Sequence, residues 1–179
     1  IVNVGDDLVM HGLTICPDLD SIMYKLAALN NEELGWGLRG ETWRVRDELA
    51  ALGGEAWFSL GDRDLATHLY RSERLARGAT KSDVTAELTA KFGVTERLLP
   101  VTNDVVATTF DTEIGPLTFQ EYFVRHHHGD IAPIAVQGAF RHVVLLLQPA
   151  DLLTPRVLDQ PNDPDMLGPR IHGTMRHLR

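Results

Sequence analysis

The sequence predicts an α/β fold: a mostly parallel sheet with flanking helices and one β-hairpin. Three observations predict it. Short apolar runs of strand character recur along the first 125 residues. Stretches with a helical repeat of apolar residues stand between the earlier of these runs. After about residue 97 the apolar pattern changes to that of closely spaced strands. Strands separated by helices favour parallel pairs joined by crossovers.

The elements follow in order. Residues 1–4, "IVNV", read as a short buried strand ended by Gly5, and residues 8–12 read as loop. Pro17 then opens a helix whose Leu19, Ile22, Met23, Leu26 and Leu29 share one face, with Asp18 or Asp20 as its N-terminal cap. "NNEELGWGLRGETW" is loop-like. A helix is expected over residues 41–52, stopped by Gly53 and Gly54, and a strand over 56–60. The next helix covers 63–77, with Leu65, Leu69 and Leu75 inward and Gly78 as terminator. Another covers 82–92, capped by Ser82 and closed by Gly93. Strands are expected over 97–99, 105–111 and 117–125, the last two forming a hairpin through "TEIGP". From His126 the character changes, with "HHHGD", one apolar run and then the Pro- and Asp-rich "QPNDPDMLGPR". No clean helix or strand is read after Leu153, and no internal repeat is found. The expected organisation is a partial α/β domain over 1–125 and a divergent tail over 126–179.

Composition narrows the function classes. The chain of 179 residues, 44% hydrophobic and 23% charged, is long enough for one sizeable core. A formal charge of −8 with no basic stripe argues against general nucleic-acid binding. The single cysteine, Cys16, cannot form an internal disulfide and fits a reducing cytoplasm. Its reading is a small packed residue, because no partner His is placed by the sequence. The longest apolar runs are far too short to cross a bilayer. Residue 1 is Ile and the chain starts inside a strand, so a fragment without its first strand and loop is expected. Apolar surface along residues 1–4 and along the 19–29 helix face should then be partly exposed.

Candidate chemistry gathers at three acidic junctions. "NVGDD" places Asp6 and Asp7 where a strand of an open sheet ends, which is where such sheets bind ligands; Gly-Asp-Asp is equally good turn chemistry. "CPDLD" puts Asp18 and Asp20 at a helix start. One carboxylate suffices for capping, and the pair could bind Mg²⁺ through oxygen ligands. In "LGDRDLATHLYR", Asp62 and Asp64 flank Arg63, and Asp64 lies four residues before His68 on one helical face. That reads either as a capped helix with an i, i+4 pair or as a phosphate or metal site, with Arg63 forking onto phosphate oxygens. Three such junctions converging at one sheet edge would suit metal-dependent phosphoryl chemistry. "HHHGD" reads as a solvated loop or as a metal tract.

The segments "VNVGDD", "HGLTICPDLDSIMYKLA", "GWGLRGETW", "LGDRDLATHLYR" and "LTFQEYFVR" together resemble the 2-phospho-L-lactate transferases of coenzyme F-420 biosynthesis, including the phosphoenolpyruvyl transferases, over roughly residues 1–125. The resemblance implies a Rossmann-like fold and a homodimer. It implies Mg²⁺-dependent transfer of a phosphorylated three-carbon acid from a guanosine-diphosphate-linked donor to the ribityl hydroxyl of a deazaflavin, releasing GMP. Asp20 takes the place of the family's deazaflavin contact and Ser59 that of a second contact. Mg²⁺ falls to Asp7 and Asp18, catalysis to Asp20 and Asp7, and substrate binding to Asp62, Arg63 and Asp64. Two family features are missing: a Gly-rich nucleotide loop before residue 1, and a "PSNP" anion loop with a long C-terminal half after residue 126. The alternatives kept open are a nucleotide- or deazaflavin-binding module without turnover, and a poorly folding fragment.

Overall fold

A computed structural model of the chain describes residues 1–3, 5–126, 131 and 133–138. The readings of "HHHGD" over 126–130 and of the segment beyond 138 lie, apart from His126, outside the described residues.

The chain is a mixed α/β protein. Strand β1 (Val2–Asn3) pairs in parallel with β4 (Leu99–Pro100), the crossover pairing expected when helices separate two strands. Between them come helix α1 (Pro17–Leu26), α2 (Arg44–Ala51), α3 (Asp62–Ala76) and α4 (Lys81–Lys91). The apolar face of α1 supplies Leu19 and Met23 to a core shared with Val84, Leu88 and Leu98. Those α1 residues are buried, contrary to the exposure expected for this face, because α4 covers it. Ile1 and Val2, which read as a buried strand yet are expected to show apolar surface if a neighbouring strand is missing, are 55% and 50% exposed.

Several readings are corrected. Residues 8–12 are not loop: β2 (Leu8–Met10) and β3 (Leu13–Ile15) form an antiparallel hairpin. Its two turn residues, His11 and Gly12, both have positive φ, 53° and 74°, as a tight primed turn demands. The run over 56–60 pairs with no strand among the described residues; Trp57, Phe58 and Leu60 pack instead on Leu8, Met10 and Ile15 of that hairpin. The second helix starts at Arg44 rather than 41. Leu69 is 53% exposed rather than inward, and the inward face of α3 carries Asp64, His68 and Arg71. Thr80, not Ser82, caps α4, in a reciprocal capping box with Asp83. Neither Asp18 nor Asp20 caps α1: its N-cap is Cys16, with no side-chain cap, and Pro17 opens the first turn.

The expected hairpin forms between β5 (Thr108–Thr112) and β6 (Gly115–Thr118). The strand read over 117–125 stops at Thr118, whose amide and hydroxyl both donate to the Glu121 carboxylate at 2.9 Å. A π-helical turn (Glu121–Arg125) follows, and Tyr122 stacks on Phe110 with ring centroids 4.4 Å apart. A further strand, β7 (Pro133–Gly138), pairs antiparallel with β5, so a three-stranded sheet reaches past residue 126. Among the described residues no helix is long and apolar enough to cross a membrane.

Candidate active site

The carboxylates of the first junction lie just beyond β1. Asp7 is buried, and its Oδ2 accepts from Lys81 Nζ at 2.5 Å and from the Val106 amide at 2.9 Å. Lys81 also donates to the Asp104 carbonyl, so α4 delivers a cation to the end of the β1–β4 pair. Asp18 of α1 approaches the same loop: its Oδ2 accepts from the Asp6 amide at 3.0 Å. The approach requires glycine at position 5, where an added Cβ would lie 2.3 Å from the Asp18 Cβ. Asp18 keeps an exposed edge, yet partial burial raises its carboxyl above the usual range. The Asp6 amide opposes that rise, and the Asp6, Asp7 and Asp20 carboxylates add to it.

Asp20, one helical half-turn on, points inward. It is 3% exposed and is held by a two-pronged ion pair with Arg71, whose NH1 donates to Oδ2 at 3.0 Å and whose NH2 engages Oδ1. Burial pushes its carboxyl upward, and Arg71 and His68 oppose the push. Burial likewise works against the Arg71 charge, but the Asp20 carboxylate outweighs it and holds the guanidinium protonated. Asp64, in the first turn of α3, accepts from the Tyr24 hydroxyl at 2.6 Å. Since a carboxylate only accepts, Tyr24 donates there, and the Thr67 hydroxyl at 2.9 Å donates to Tyr24. Burial pushes Asp64 up, but His68 and the Tyr24 hydroxyl outweigh it and hold the carboxyl below the usual range. Burial and the Asp20 and Asp64 carboxylates keep the Tyr24 hydroxyl protonated.

These groups floor a cleft of about 270 Å³. Asp18, Asp20 and Asp64 line it together with Ser59, while Tyr24, Trp36, Trp57, Phe58 and Phe119 supply aromatic walls. Asp18, Asp20, Ser59, Asp64 and His68, all singled out from the sequence, therefore share one cavity. Asp7 lies in a neighbouring small polar recess with Asp6 and Lys81. Asp62 and Arg63 line neither. Asp62 instead accepts from Thr42 Oγ1 at 2.5 Å and from the Arg44 and Val45 amides, capping α2 from outside; the Thr42 bond lowers its carboxyl. Arg63 is exposed and donates to the Arg39 carbonyl at 2.5 Å. The α3 N-terminus, read as a possible phosphate cradle, is filled by Glu41, which accepts from the Arg63 and Asp64 amides at 2.8 and 2.9 Å.

Sequence reasoning did not include Arg71, Lys81, Tyr24 or Trp57 in the site. One signal was available: Asp64, His68 and Arg71 follow i, i+4, i+7 spacing, which puts three polar groups on the face α3 turns to the core.

Asp20, Asp64 and His68 bring their ligand atoms within 4.8 Å of one another, and so could share a metal ion. Their bonding counts against Mg²⁺ there. Arg71 already occupies both Asp20 oxygens and faces His68 Nδ1, and Mg²⁺ takes oxygen ligands. Asp6, Asp7 and Asp18 form an all-oxygen group whose Asp6 and Asp18 carboxyls are raised first by burial and then by neighbouring carboxylates, but among the described residues only Asp20, Asp64 and His68 bring three ligand atoms close enough to share an ion.

Fold and site together define an α/β protein with a carboxylate-floored, aromatic-walled cleft. The profile of the family described as "2-phospho-L-lactate transferase CofD" matches residues 1–159, and the chain belongs to that family. The match runs past residue 125, where the resemblance was expected to stop. Among similar proteins, the phosphoenolpyruvate transferase of Mycolicibacterium smegmatis is 46% identical over 133 residues, covering 70% of this chain and 41% of that protein. That of Streptomyces griseus is 48% identical over 130 residues, with the same coverage. That of Nocardia farcinica is 42% identical over 200 aligned residues, covering 100% of this chain and 59% of that protein. The chain thus spans roughly half the length of the curated relatives it matches.

Proposed function

We propose that this chain carries the acceptor side of a transferase that moves a phosphorylated three-carbon acid from a guanosine-diphosphate-linked donor to the ribityl hydroxyl of a deazaflavin, releasing GMP. The observation that carries the reading is the cleft: in a member of this family, aromatic walls of a size for a planar ring rise over Asp20, Asp64 and Ser59. The donor's acid is taken as phosphoenolpyruvate, after the names of the similar proteins.

The chain's own residues supply three functions. Asp20, fixed by Arg71, meets the acceptor's hydroxyl and takes its proton; burial raises its carboxyl, which makes it a better base than a surface aspartate. The apolar walls exclude water from the attacking hydroxyl. Asp18, with Asp7, would hold Mg²⁺, which when bound offsets phosphate charge on the donor and the leaving GMP. Lys81 holds Asp7 in place beside it.

The test is incubation of the chain with enolpyruvyl-diphosphoguanosine, the ribityl deazaflavin and Mg²⁺, following GMP and the phosphoenolpyruvyl-deazaflavin by mass spectrometry. Both products should appear together. Saturable deazaflavin binding without either product would support the binding module in place of the transferase.

A further inference from the structure

The cleft wall holds two buried ring N–H groups without a well-formed hydrogen bond. His68 is 1% exposed, and its Nδ1 faces Arg71 NH1 at 3.2 Å. A guanidinium only donates, so Nδ1 accepts and the ring hydrogen sits on Nε2. Nε2 lies 3.1 Å from Asp64 Oδ2 but off the hydrogen-bonding line, and it has no hydrogen-bond partner. The Trp57 indole Nε1–H, which can only donate, is also buried and unpartnered. Both residues line the same cleft. A buried donor left unsatisfied costs about 1–3 kcal/mol, and two in one cavity call for a partner that brings acceptors. That partner is not an anion, because Asp20 and Asp64 stand at the floor.

We propose that His68 and Trp57 are specificity-determining residues, donating from Nε2–H and Nε1–H to carbonyl or ring-nitrogen acceptors of a neutral, planar heteroaromatic ring seated in this cleft. The inference rests on the proposed function in placing the deazaflavin ring there. It assigns His68 to recognition rather than to metal ligation, since neither ring nitrogen has a lone pair to spare.

The experiment is fluorescence titration of the full chain with three ring probes: the ribityl deazaflavin, riboflavin, and anthracene, which has the three-ring shape but no acceptor. Proteins compared are wild type, Trp57→Phe, which keeps an aromatic wall, His68→Leu, and His68→Gln, which keeps an N–H donor. Trp57→Phe and His68→Leu should each raise the deazaflavin Kd about three- to tenfold, the range for one lost hydrogen bond. His68→Gln should recover part of the loss, and anthracene should bind all four proteins alike. If His68→Leu does not fold, Trp57→Phe and His68→Gln still decide. Deazaflavin affinities unchanged by the substitutions overturn the inference and leave the proposed function standing. A wild type that ignores deazaflavin but binds riboflavin, with the same losses on substitution, overturns the proposed function and keeps the inference. Binding of neither carbonyl-bearing ring overturns both.

Discussion

Replacing Asp20 by Ala removes one partner of a buried ion pair. Asp20 is 3% exposed, and Arg71 is equally enclosed. The guanidinium would keep its charge, and its remaining contacts are His68 Nδ1 and the Thr14 carbonyl at 3.5 Å. Stranding a buried charge in this way costs about 3–5 kcal/mol. That exceeds the ~1 kcal/mol expected from an exposed helix cap, as the position reads in the sequence. For a domain of this size each kcal/mol lowers Tm by about 2–4 °C, so the loss should be about 6–20 °C. Asp20→Ala with Arg71→Met should recover most of it, because an apolar pair in place of a buried ion pair is often close to neutral. Differential scanning calorimetry of the two single variants, the double variant and wild type measures the coupling. A Tm for Asp20→Ala within about 2 °C of wild type would refute the argument, since it would mean that Arg71 is solvated without its partner.

Two further predictions concern charge. Glu87 accepts from Arg74 and from the Tyr70 hydroxyl, which hold its carboxyl at about 2, below its unfolded value. A depressed carboxyl stabilises fully above the unfolded pKa of about 4.3 and ceases to do so as pH falls through its folded value. Glu87→Gln should therefore flatten the fall of Tm between about pH 5 and pH 2 in thermal melts; an acid limb unchanged from wild type would remove Glu87 as its source. Mg²⁺ should raise the Tm of wild type, and Asp7→Asn with Asp18→Asn should abolish that rise when each protein is compared with its own metal-free melt. A Mg²⁺ shift that survives in the double variant would move the metal elsewhere.

Much of the fold follows from local patterns. The parallel pairing of residues 2–3 with 99–100 follows from strands set apart by helices; α1 announces itself by helical spacing after Pro17, α3 by spacing and Gly78, and α4 by its terminating Gly93. The β2–β3 hairpin was hidden because its strands are three residues long and its turn, His11-Gly12, lacks the usual Asn or Asp. The end of β6 carried a usable sign: Thr118-x-x-Glu121 has the spacing of a capping box. The acidic junctions were legible as a group, but not their separate duties. Asp62 caps α2, Asp7 pairs with a lysine 74 residues away, and Asp20 pairs with an arginine 51 residues away. Partners that distant are set by tertiary packing, which no local spacing reveals.

The central claim is that Asp20 presents its carboxylate to a deazaflavin in the aromatic cleft. It is tested most directly by titrating deazaflavin fluorescence against wild type and Asp20→Ala/Arg71→Met, the variant expected to keep its fold. The account predicts a Kd at least about tenfold higher for the variant, as the loss of a hydrogen bond to a charged group requires. Equal affinity in two proteins with matching circular dichroism would contradict it.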